Sequence, residues 1–102
     1  MNNKKLNSHM DLLRKELESL LVFLKAKFPM FHNSNFFYRD LQYGIRSFME
    51  KKDIIISYAE ADELAGLMFK DLEDKKIFVR VNNNSWKINY PEFVTTKPGD
   101  PL

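Results

Sequence analysis

The stretch from Ser57 to Tyr90 restricts this chain most, because its apolar spacing passes from helical to strand-like without interruption. Ser57 and Glu60 stand at the spacing in which a hydroxyl and a carboxylate satisfy the first free N–H groups of a helix. Ala61, Leu64, Ala65, Met68 and Leu72 then share one helical face. Lys75 and Lys76 suit the negative end of the helix dipole and mark its close. Ile77–Val81 and Trp86–Tyr90 follow as strands, joined by Asn82-Asn83-Asn84-Ser85 in a turn that asparagine tolerates well. Their alternation points Ile77, Val79 and Val81 inward with Trp86, Ile88 and Tyr90, and turns Phe78 away. Pro91 cannot donate to a ladder and ends the strand.

Upstream, Leu6, Met10, Leu13, Leu17, Leu20 and Leu24 recur at alternating spacings of four and three, the seam of a long helix. The helix is expected to start at Ser8 and to stop at Pro29. Its seam packs on the domain's own core in one reading, and in another it also pairs with a second copy, giving a homodimer through the 9–28 helix. A second helix, roughly 36–51, is capped by Ser34 or Asn35 and buries Phe37, Leu41, Ile45 and Phe48. Gly44 inside it costs about 0.5–1 kcal/mol against Ala, which a close helix crossing would explain. Ile54-Ile55-Ile56 suits a short third strand beside the hairpin. The expected organisation is a flexible segment at 1–7, one α+β domain at 8–94 and an unstructured tail at 95–102. That domain has three helices followed by a C-terminal antiparallel β-hairpin.

With 102 residues, 44% of them apolar, the chain can bury one core and no more. It has no cysteine, so disulfides and thiolate zinc sites are excluded. No apolar run approaches the roughly 18 residues of a membrane span. The N-terminal Lys4-Lys5 pair is not followed by the apolar block of a secretion signal. A cytoplasmic location is the expectation. The net charge of +2 is divided unevenly: residues 1–52 carry +5, residues 53–76 carry −4 and the remainder +1.

Helices followed by a hairpin resemble the winged-helix superfamily over residues 8–91, and the order of elements carries the likeness. In that superfamily the first strand lies between the first and second helices, so a strand at 54–56 departs from the pattern. A second alignment makes 36–51 the first family helix and splits 58–75 at Gly66. It is similar to the DEP-type winged helix, with Glu60, Ala61 and Leu64 forming an E-A-x-x-L phrase. Helix-turn-helix proteins carry a small residue four places before the turn glycine, where this chain has Asp40 and Asp62 ahead of Gly44 and Gly66.

The chemistry-bearing residues are few. His9 and His32 stand outside any catalytic phrase and are expected on the surface. Glu60, Asp62 and Glu63, and then Asp71, Glu73 and Asp74, read as helix-end charges and ion-pair partners. No enzyme, cofactor or metal is expected. Two binding functions remain. In the first the domain is a protein–protein adaptor contacting its partner through Phe69, Phe78, Arg80, Asn83 and Lys87. In the second it binds DNA through a basic hairpin, using Lys75, Lys76, Arg80 and Lys87. Against the second, Glu60–Lys76 carries six carboxylates and three lysines, which would repel phosphates if this helix entered a groove.

Overall fold

The computed structural model describes residues 3–28 and 30–91, so the expectations for Pro29 and for the tail from Thr95 lie outside the described residues. Seven elements follow one another. Helices α1 (Asn3–Lys15) and α2 (Leu17–Lys27) come first, then strand β1 (Asn35–Phe37) and helices α3 (Tyr38–Lys51) and α4 (Tyr58–Asp74). Strands β2 (Phe78–Asn82) and β3 (Ser85–Ile88) close the fold. The strands form one antiparallel sheet in the order β1-β3-β2.

The long helix expected at the start is two helices. Glu16 leaves helical geometry (φ −106°, ψ 32°), although its N–H still donates to the Leu12 carbonyl and its own carbonyl accepts from Leu20. The bend sends α1 across α4 and α2 across α3, so one continuous seam serves two partners. Met10, Leu13, Leu20, Leu21 and Leu24 are all buried in the domain's own core. α1 begins at Asn3, ahead of the expected start at Ser8.

α4 is the helix the sequence described best. Ser57 Oγ accepts from the Glu60 N–H at 3.1 Å, and Glu60 Oε1 accepts from the Ser57 N–H at 2.8 Å. That bond, with Lys5 nearby, holds the Glu60 carboxyl below the usual carboxylate range. The helix runs unbroken through Gly66, so the division there required by the DEP-like alignment is not found.

Two strand assignments need correction. Residues 54–56 pair with nothing in the sheet: Ile56 is buried and Ile55 is 75% exposed in an extended connection after Asp53 (φ 61°). The third strand is β1 instead, which occupies the free edge of β3 in the register Phe36↔Trp86. α3 therefore starts at Tyr38 without a side-chain cap, its first N–H donating to the Asn84 carbonyl of the hairpin turn. Ser34, expected as a cap, closes the preceding turn by bonding both the N–H and the carbonyl of Phe31. The buried ring of the Phe36-Phe37 pair is Phe36, while Phe37 is 51% exposed.

Gly44 sits where α2 crosses α3. A Cβ there would run into Leu24 Cδ2 and stand 3.4 Å from the Phe28 ring. The glycine is the condition for that close approach.

Candidate functional site

One carboxylate of α4 engages both strands of the hairpin. Glu73 Oε1 accepts from Trp86 Nε1 at 2.6 Å and lies 3.0 Å from Arg80 Nη2, while the Arg80 guanidinium sits 4.9 Å from the centre of the Trp86 ring. Trp86 stacks on Phe69, with centroids 3.6 Å apart and planes within 9°. Phe36, Phe78 and Tyr38 surround that pair. Hydrogen bonds to an ionised group are worth about 1.5–3 kcal/mol each when shielded, and stacked rings add about 0.5–1.5 kcal/mol beyond burial. The hairpin is thus packed and hydrogen-bonded directly onto α4.

This arrangement overturns the expected aromatic contact surface. Phe69 and Phe78 are each 1% exposed, inside the core. The faces of β2 are the reverse of those read from alternation: Phe78 stands opposite Ile88 and Arg80 opposite Trp86, so both point toward α4. Val79, opposite Lys87, points outward and is 49% exposed, and Val81, at the irregularity between Arg80 and Asn82, is 56% exposed. The physical reason is volume, since a phenyl ring fills the space beside Phe36 and Phe69 that valine would leave partly empty.

The remaining hairpin residues do not form one patch. Arg80 is turned to α4 and engaged by Glu73, whereas Lys87 stands opposite Val79 and Asn35 on the other face of the sheet. Asn83 is exposed at the turn, next to Asn82, whose Oδ1 accepts from the Asn84 N–H at 2.9 Å. Lys75 and Lys76 lie at the end of α4, Lys76 with φ 60° and its carbonyl accepting from Asn89 Nδ2.

The outward face of the sheet carries what the sequence missed. Val79 stands opposite Lys87 there, Phe37 lies two residues along β1 from Lys87's other partner Asn35, and Val81 is exposed at the irregularity between Arg80 and Asn82. Ser85, opposite Phe37 in the ladder, is itself buried at 6%. Two adjacent phenylalanines and four apolar residues among Ile77–Val81 had concealed which of them faces out.

Charge is arranged as an internal balance. Three α4 carboxylates pair with cations of other elements: Glu60 with Lys5 (3.8 Å), Asp71 with Arg14 (2.6 Å) and Glu73 with Arg80. The Asp71 pair is a fork, with both Arg14 Nε and Nη2 donating, and it raises the arginine further above its ordinary range. The outward surface of α4 keeps Asp62, Glu63 and Asp74 exposed. His9, expected on the surface, is buried at 8%, and its Nδ1 has no hydrogen-bond partner among the described residues. His32 is half-buried in the 31–34 turn. Among the described residues no group of acids and histidines could hold a metal ion, and no helix is long and apolar enough to cross a membrane.

Family models, curated proteins and solved structures were each compared with the chain, and none matches it. The described residues form an α+β domain with four helices and a three-stranded antiparallel sheet.

Proposed function

We propose that the domain is a non-catalytic binding module of winged-helix type that contacts another protein through the outward face of its sheet. Element order supports the type: with α2 counted as the first family helix and α1 as an addition before it, β1 falls between the first and second helices, where that superfamily has its first strand, and the hairpin ends the fold. The observation that carries the function is the outward sheet face, where Phe37, Val79 and Val81 are each about half exposed around Lys87. Large apolar side chains grouped on one face, rimmed by polar residues, are the usual anchor of a protein contact.

DNA binding is the second reading, favoured by Lys75, Lys76 and Lys87 near the hairpin. Arg80 no longer supports it, being held by Glu73 on the opposite face from Lys87. The helix ahead of the hairpin opposes it, because Asp62 and Glu63 stand on its exposed surface.

The reading is tested by placing a photo-crosslinking amino acid at Val79 in the full chain and irradiating cells that express it. A discrete protein adduct that disappears in Phe37→Asp and Val81→Asp variants is the expected result. An adduct pattern unchanged by both substitutions, or no protein adduct at all, overturns it.

A further inference from the structure

A second surface lies between α2 and the end of α3, away from the sheet. It is an open groove of about 580 Å³ lined by Val22, Phe23 and Phe48, with Glu18 from α2 and Lys51 and Lys52 from the end of α3. Val22 is 53% exposed although it sits in the most apolar run of the chain. Phe23 meets Phe48 edge-on at 5.5 Å and carries a lysine at each side: Lys27 Nζ is 5.6 Å from its centroid and Lys51 Nζ 5.2 Å. Lys27 also lies 5.6 Å from the ring of Tyr43, which is 51% exposed.

The lysines differ in what holds them. Lys52 is neutralised by Glu16 at 2.6 Å. Lys27 and Lys51 have no carboxylate within ion-pair distance among the described residues, and rings alone fix their stems. A ring quadrupole holds an ammonium in place without cancelling its charge. Lys51 thus lines the apolar groove and Lys27 stands beside it at the Phe23 ring, in a domain whose ion pairs elsewhere draw cations of α1 and β2 onto α4.

We infer that this groove docks an acidic amphipathic helix of a partner protein, apolar side chains on Val22 and Phe23, carboxylates on Lys27 and Lys51. Charge complementarity selects the sign of the partner, and the apolar floor selects an amphipathic segment over a bare polyanion, which would leave Val22 and Phe23 uncovered. Glu18 at the α2 end disfavours a strand of phosphates running the length of the groove. This surface is independent of the outward sheet face, and either can fail alone.

The test is fluorescence anisotropy on the full chain with a labelled synthetic helix bearing leucines on one face and glutamates on the other. Its charge-reversed lysine version, a single-stranded oligonucleotide and anionic lipid vesicles serve as comparisons. Saturable binding of the acidic helix is expected, at least tenfold tighter than the lysine version. It should weaken at least tenfold in Lys27→Glu/Lys51→Glu and in Val22→Asp, and stay unchanged in Val79→Asp. All these positions are exposed, and the thermal melt of each variant verifies folding. Equal affinity for the two helices, or binding indifferent to Lys27→Glu/Lys51→Glu, overturns the inference. So does tighter binding of the oligonucleotide or the vesicles through the same two lysines.

Discussion

Tyr38 shows how one side chain can join two elements. Its hydroxyl donates to the Asp62 carbonyl at 2.9 Å while its ring stacks on Phe69, and burial followed by the neighbouring Asp62 pushes its pKa up to about 12. Since the folded value lies above the unfolded value of about 10, the contribution is fully present below pH 10. It is lost as pH rises through about 12. A phenolate absorbance titration should therefore show one of the four tyrosines ionising late, and Tyr38→Phe should remove that phase. Four tyrosines titrating together near pH 10 would refute this. Nothing in the sequence marked Tyr38 for this role, because the residue it bonds is 24 positions away. The inward turn of Phe69 and Phe78 was hidden for a similar reason. A side chain's face in a strand with apolar residues on both sides is decided by the volume available across the core, which is not a local property.

Elements were legible to the degree that their signals are local. The capping box and the apolar stripe of α4 stand where short-range rules put them, and the hairpin forms with strands Phe78–Asn82 and Ser85–Ile88 in place of 77–81 and 86–90, so that Asn82 and Ser85 pair and Asn83-Asn84 make the turn. β1 was missed because Asn35-Phe36-Phe37 looks equally like the first turn of α3, and only pairing with β3 makes it a strand. The bend at Glu16 was missed because the heptad pattern runs through it and no proline or glycine marks it. Gly44 was read correctly as the sign of a close crossing, and it gives a clean prediction. Gly44→Ala gains about 0.5–1 kcal/mol of helix propensity but forces a methyl into Leu24 and the Phe28 ring, an overpacking cost of about 1–3 kcal/mol. Urea unfolding should show a net loss of about 1–2 kcal/mol. Adding Leu24→Val should cost less in the Gly44→Ala background than in the parent, since the two side chains compete for one space. A stabilised Gly44→Ala variant would mean that the helices have room to separate.

For the molecule as a whole, the uneven charge in the sequence becomes an internal arrangement. α1 and β2 direct Lys5, Arg14 and Arg80 onto Glu60, Asp71 and Glu73 of α4, tying those elements to it. Asp62, Glu63 and Asp74 stand exposed on its surface and keep the helix before the hairpin unsuited to phosphate. The cations that remain near the hairpin, Lys75, Lys76 and Lys87, are divided between the end of α4 and the outer sheet face. Whether such a surface prefers protein to nucleic acid is measured most directly by titrating duplex DNA with the full chain at about 50 mM and about 200 mM salt. The predicted outcome is binding no tighter than the nonspecific range of roughly 10⁻⁴–10⁻⁶ M, with a shallow salt slope. Tight binding that falls steeply with salt and vanishes in Lys75→Ala/Lys76→Ala/Lys87→Ala would contradict it.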